Sequence, residues 1–140
     1  MQVARWRGMP CPVRALALAA LLGLVQPALS APTQEACAAL LTARAKLLEM
    51  VASRGKGELD ALKREVYAAS AKLEGEVGAL RGDAAARALA FRRVWEAFKR
   101  TREQEIIPAL YRGKFDRAKA IAYGIQVERF EQMKAALGCQ

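Results

Sequence analysis

Arg44 stands in the middle of an apolar helical stripe, between Leu40, Leu41, Leu47 and Leu48, and that position raises a chemical question. A guanidinium carries five N–H donors and stays charged, so inside a protein it must meet carbonyls, a carboxylate or an anion. Arg102 and Glu105 continue the line of Phe91, Trp95 and Phe98 at helical spacing. Counted from the turns around Gly57 and Gly113, Arg44 and Glu105 lie at similar depth, so with Arg102 and Ser70 they define one candidate layer. Three readings of that layer stand side by side. It is an Arg-Glu network that fixes helix packing, or a pocket whose net positive charge takes a small carboxylate or similar anion bidentately, or a set of arginines whose heads snorkel to the surface.

Two further clusters draw notice. Arg54, Lys56, Arg112, Lys114 and Arg117 collect around two turns, where they form an anion-attracting pole beside helix N-termini or simply compensate helix dipoles. Tyr123, Val127, Phe130 and Leu137 form a second apolar stripe, roughly opposite Ile121 and Ile125, that covers a neighbouring helix or forms a homodimer seam. Other chemistries are excluded by composition. The chain has no histidine, which removes Ser-His and Cys-His dyads and His-ligated metals. No CxxCH and no glycine-rich phosphate loop is present. The expectation is a protein without catalytic activity, cofactor or metal.

Positioning these residues requires helices. Apolar residues make up 54% of the chain, and alanine and leucine dominate with Glu, Lys and Arg, a composition of helix formers rather than of strands. Thr33 is expected to cap a first helix over 34–53, which the Arg54–Gly57 turn ends. A second helix over 58–80 carries Leu59, Leu62, Val66, Ala69, Leu73, Val77 and Leu80 in an unbroken rhythm of threes and fours. The Arg81–Asp83 segment is read as a turn rather than an adhesion motif, with Asp83 capping a third helix over 84–111. Ala84, Ala88, Phe91, Trp95 and Phe98 face inward on it, and Pro108 bends it near its end. Gly113 stops it, and a fourth helix runs over 115–137. Short connections make neighbours antiparallel, so the expected fold is all-α, an antiparallel up-down-up-down four-helix bundle.

The N-terminus reads as an export signal. Arg5, Arg7 and Arg14 precede a fifteen-residue apolar run, Ala15 to Leu29, ending at the small residues Ala28 and Ser30. A bilayer-spanning helix needs ~20 such residues, so cleavage is the leading expectation and an uncleaved inner-membrane anchor the alternative. The domain division is therefore 1–30 signal and 31–140 bundle, exported to the periplasm or secreted. Residues 31–140 carry twenty Lys/Arg against fourteen Asp/Glu, a surplus of six with both signs interleaved, which suits acidic ligands or partners and gives no nucleic-acid pattern. In the bundle the start of the first helix and the end of the fourth share one pole. Cys37 and Cys139, about a hundred residues apart, should therefore pair as a disulfide in an oxidising compartment.

The segment Val94–Arg100 and the residues after it, with Trp95, Phe98, Ile106, Ile107, Pro108, Gly113, Ala118 and Ala122, resemble the second half of the four-helix-bundle sensory domain of methyl-accepting chemotaxis receptors. The resemblance covers roughly 90–137 and extends to the first half only in architecture. Those receptors set the bundle between membrane helices and follow it with signalling modules, whereas this sequence reaches Gln140 where the second membrane helix would begin. The resemblance thus implies a free sensory or ligand-binding bundle, paired as a homodimer and signalling through a membrane-bound partner. Alternatives of other classes are a periplasmic chaperone or stress-protein bundle that holds unfolded clients, and a structural accessory subunit of a membrane complex.

Overall fold

The structure is a computed structural model that describes residues 29–53 and 57–140. Residues 1–28 of the expected export signal, and Arg54 and Lys56 of the basic cluster, lie outside the described residues. Among the described residues every regular element is helical. Four helical rods form a bundle: α1 (Ala31–Ala52); α2 (Leu59–Ala79); a third rod made of α3 (Asp83–Thr101), a π-helical turn (Arg102–Ile106) and α4 (Ile107–Tyr111); and a fourth made of α5 (Phe115–Tyr123) and α6 (Ile125–Leu137). No helix among them is long and apolar enough to cross a membrane.

The helix starts differ from expectation by a few residues. Ser30 precedes α1, Pro32 sits in its first turn, and Thr33 lies inside the helix, buried, with its hydroxyl bonded to that of Ser30 at 2.9 Å. Proline lacks the N–H that a first-turn residue leaves unused, so the helix begins earlier than the Thr33 cap would place it. Asp83 is likewise the first helical residue of α3 rather than its cap, with its carboxylate at the positive end of the helix dipole.

The core follows the predicted stripes. Leu40, Leu47, Val51, Leu59, Val66, Leu73, Val77, Leu80, Phe91, Trp95 and Phe98 are buried. Leu41 is instead 53% exposed, because Arg44 and Ala43 take the inward arc of α1 beside it. Phe91, Trp95 and Phe98 stack in series, with ring centroids 6.0 and 5.4 Å apart. Helix α1 packs along α2, α3 packs along α6, and α5 lies against α1 and the π turn. The Tyr111 hydroxyl bonds to Asp60 and ties α4 to α2.

Two irregularities set the register of everything near the middle of the molecule. Pro108 has no N–H to donate back to the carbonyl four residues earlier and its ring crowds that carbonyl. The rod responds just upstream with the π turn, closed by Ile107 N–H bonding to the Arg102 carbonyl, five residues back. The expected bend at Pro108 is therefore taken up as a widened turn, which carries one extra residue and rotates the following face. In the fourth rod the expected continuous helix is broken at Gly124, with φ −99° and ψ −114°. A Cβ at Gly124 would sit 2.8 Å from the Ala120 carbonyl oxygen, so only glycine fits there.

Among the described residues three turns use a glycine at positive φ, the first being Gly82 ahead of α3. Gly113 (φ 69°) and Gly138 (φ 77°) each close a helix with paired bonds, Lys114 N–H to the Ala109 carbonyl and Cys139 N–H to the Lys134 carbonyl. The Gly138 turn carries Cys139 to Cys37, where the predicted disulfide closes with Cα atoms 5.6 Å apart across a sequence separation of 102.

Two outcomes are expected. Gly124→Ala should destabilise the fold by about 1–3 kcal/mol, as overpacking against fixed backbone does, seen as a fall in the urea midpoint at unchanged m-value. Cys139→Ser should remove about 4–5 kcal/mol by the chain-entropy model for a loop of this length, measured by denaturant unfolding beside the oxidised parent.

Candidate functional site

The buried polar groups gather where the two irregular segments face each other. On α1, Arg44 is 7% exposed, and its Nη2 donates to the Ala122 carbonyl of α5 at 2.6 Å. Ala122 sits just before the Gly124 break, where the helical ladder is interrupted and carbonyls need outside donors. The Phe130 ring lies 5.9 Å from the guanidinium carbon. Burial lowers the Arg44 pKa, and the neighbouring Tyr123 acts in the opposite sense. Arg44 makes no ion pair among the described residues. Its Nη1 is the one buried side-chain N or O atom among them with no hydrogen-bond partner.

Arg102 is held on the other side of the bundle, 4% exposed. Its Nη1 donates to Ser70 Oγ at 2.7 Å and its Nε to Glu103 Oε1 at 2.7 Å. Ser70 in turn donates to the Val66 carbonyl. The guanidinium lies over Tyr67 at 5.3 Å and Trp95 at 5.9 Å. Tyr67 donates its hydroxyl to the other Glu103 oxygen at 2.7 Å, and burial, reinforced by that bond, pushes its pKa up to about 12. Each polar neighbour of Arg102 is thus already engaged, and the group reads as a lock between α2 and the third rod.

The four-residue layer expected from the sequence is therefore only partly assembled. Arg102 and Ser70 meet; Arg44 is buried but bonds to α5 instead; Glu105 is exposed. The π turn explains Glu105. On a straight helix it would follow Phe98 and Arg102 inward, but the extra residue of the widened turn gives that place to Ile106, which is fully buried. Glu103 supplies the carboxylate in its stead.

Residues the sequence reading passed over complete the layer. Gln126, fully buried, donates to the Phe98 carbonyl at 3.0 Å, and Arg129 Nη1 reaches Thr101 Oγ1 at 2.6 Å and Gln126 Oε1 at 3.1 Å. Gln126 falls in the line of Ala118, Ala122, Met133 and Leu137, all buried, and a polar residue on that stripe was the available signal. Across α2 and α3, Glu74 Oε1 accepts from Trp95 Nε1 at 2.8 Å and Lys99 Nζ at 2.7 Å, while Lys99 also pairs with Glu96 at 2.8 Å.

The other clusters are dispersed. Arg112, Lys114 and Arg117 are exposed around the Gly113 turn, and Arg112 Nε donates to the Pro108 carbonyl at 3.1 Å. Of the second stripe on the fourth rod, Tyr123 and Val127 are exposed, but Phe130 is half-buried beside Arg44 and Leu137 is wholly buried in the core. Val127, Phe130 and Leu137 all lie on α6, so the stripe divides along that helix, and its last residue falls in the buried line of Ala122, Gln126 and Met133. Ile125, expected on the opposite side, is exposed together with Tyr123 and Val127.

A cavity of about 220 Å³ lies between α1 and α5, lined by Val51, Ala52, Phe115, Lys119 and Tyr123. Comparison of the chain with protein-family models, with curated proteins and with solved structures gives no match.

The lysine bond holds the Glu74 carboxyl below the usual carboxylate range, with the Trp95 indole adding to it against the opposing effect of burial. A carboxyl depressed in the folded state contributes stability that is present above its unfolded pKa and is lost as pH falls through the folded value. Stability should therefore decline on acidification below about pH 4.3, the unfolded glutamate value, and the decline should be shallower in Glu74→Gln, as followed by urea midpoints at stepped pH.

Proposed function

We propose that this chain is an exported, antiparallel up-down-up-down four-helix bundle that binds a small anion as a sensory or ligand-binding module, without catalytic activity. The antiparallel order is supported by the disulfide between the start of α1 and the end of α6, by the short turns and by the pairing of α1 with α2 and α3 with α6. The disulfide also suits an oxidising compartment, in keeping with the export signal read in the sequence. The resemblance to chemotaxis-receptor sensory domains is supported by the places of its residues. Trp95, Phe98, Ile106, Ile107, Ala118 and Ala122 are core, Pro108 adjoins the π turn and Gly113 makes the corner. A signal from such a module passes to a membrane-bound partner, and the exposed Tyr123, Ile125 and Val127 provide apolar surface for a homodimer.

The observation that carries the reading is Arg44. A buried guanidinium with no ion pair among the described residues, and with one nitrogen that finds no hydrogen-bond partner among them, carries uncompensated positive charge, which costs several kcal/mol. A small anion relieves that cost, and its binding stabilises the folded state by linkage. Arg102, by contrast, already has Glu103 and Ser70, so it serves the fold.

In a thermal-shift titration of the disulfide-bonded protein with small carboxylates and inorganic anions, at least one anion should raise Tm saturably by several degrees. Arg44→Met should lose the response. Arg102→Met should lower the starting Tm yet keep the response. A panel in which no anion raises Tm, or a response that survives Arg44→Met, contradicts the reading. Suppression of client aggregation by the unliganded protein would favour the chaperone alternative.

A further inference from the structure

Helix α1 has a second apolar side. Its core-facing arc holds Ala36, Leu40, Ala43, Leu47 and Met50, and on the opposite arc Ala38, Leu41, Ala45, Leu48 and Ala52 follow one another at intervals of three and four residues. Leu48 is half-buried and the other four are exposed, Leu41 by 53%. No charged or polar residue interrupts the line. The outward arcs of the neighbouring helices are charged: α2 shows Arg64, Glu65 and Lys72 to solvent, and α3 shows Arg92, Arg93 and Arg100. Alternating threes and fours are the spacing of a coiled-coil seam, whose residues interlock with those of a partner helix. Leucine alternates with alanine along this one, and the alternation fits a copy of itself run backwards. In an antiparallel pair Leu41 faces the partner's Ala52 and Ala45 faces the partner's Leu48, and the twofold axis repeats both layers. Every layer then sets a large residue against a small one, as interdigitating helices require. A parallel pair would crowd leucine on leucine and leave alanine facing alanine.

We infer that α1 pairs with α1 of a second copy of this chain, antiparallel, about a twofold axis that passes between Ala45 and Leu48. This deepens the homodimer reading by moving the seam from the fourth rod to α1, and it does not depend on the anion. Charge permits the pairing. Residues 31–140 carry a surplus of six positive charges, so two copies repel unless the face between them is neutral. The stripe holds no charge, and Lys46 beside it is taken by Glu49 and Glu65. Area asks for a flank. A standard interface buries about 800 Å² on each partner, more than a single helix seam of about 21 Å supplies. The fourth rod adds the width. Ala52 and Tyr123 line one cavity and Phe130 lies beside Arg44, which puts the exposed Tyr123 and Val127 along one edge of the stripe. A twofold pair brings each edge against its own counterpart, so Tyr123 and Val127 face their equivalents.

The test is sedimentation equilibrium of the disulfide-bonded protein from micromolar to millimolar concentration, with charges placed in one layer of the seam. The parent should show a monomer–dimer equilibrium. Leu41→Lys and Ala52→Glu, both at exposed positions, should each keep the parent's Tm and weaken self-association at least about tenfold, since each leaves a charge unpaired at an apolar contact. An equal mixture of the two variants should regain dimer, because the antiparallel register sets position 41 of one copy against position 52 of the other. A parent that stays monomeric throughout overturns the inference and the homodimer reading together. A dimer that survives Leu41→Lys and Ala52→Glu overturns the α1 seam alone, and its loss in Val127→Lys would return the seam to the fourth rod. Dimer lost in both single variants and not regained in the mixture overturns the antiparallel register.

Discussion

The bond from Arg44 Nη2 to the Ala122 carbonyl is the interaction on which the middle of the bundle turns. Gly124 breaks the fourth rod, and a broken helix exposes carbonyls that a continuous ladder would use. In the interior such a carbonyl must find a donor, because an unsatisfied buried polar group costs on the order of 1–3 kcal/mol. Arg44 reaches across from α1 to supply one. The same residue that looks misplaced in an apolar stripe is thus required by a carbonyl 78 positions later, and neither makes sense without the other.

A second departure from regular helix lies opposite. The π turn ahead of Pro108 shifts the third rod by a residue, and the side chains around it form a linked set: Ser70, Arg102, Glu103 and Tyr67 on one side, Thr101, Gln126 and Arg129 on the other. Irregular backbone is tolerated in a packed interior where neighbouring side chains over-determine it. The buried polar layer has that role here, and the apolar layers above and below it remain ordinary helix packing. What distinguishes Arg44 from the rest of the layer is arithmetic of donors. Arg102 has acceptors for its inward-facing groups, whereas Arg44 has one carbonyl, an aromatic ring and a nitrogen left over.

Much of this was legible in the residues. The helix count, the turns near Gly57, Gly82 and Gly113, the inward line from Ala84 to Phe98 and the Cys37–Cys139 pair all follow from periodicity, glycine stops and the geometry of short connections. The layer was legible only in part. Pro108 signalled a distortion, but not that it would be absorbed as a widened turn, and that one-residue shift is what turned Glu105 outward and Ile106 inward. Gly124 gave weaker warning still, since a lone glycine amid strong helix formers is compatible with an unbroken helix. Only the approach of the Ala120 carbonyl reveals why no side chain stands there. Leu137 was read in one stripe with Tyr123, Val127 and Phe130, covering a neighbouring helix or forming a homodimer seam, yet it lies one turn beyond Met133 and shares the buried line of Ala118, Ala122 and Gln126.

The most direct measurement is of the guanidinium protons of Arg44 by nuclear magnetic resonance on the oxidised protein. If Arg44 caps the fourth rod, its Nη protons exchange slowly with water, give separate signals and show dipolar contacts to Ala122 and Phe130. Signals averaged and exchanging as fast as those of the exposed Arg100 would contradict the account.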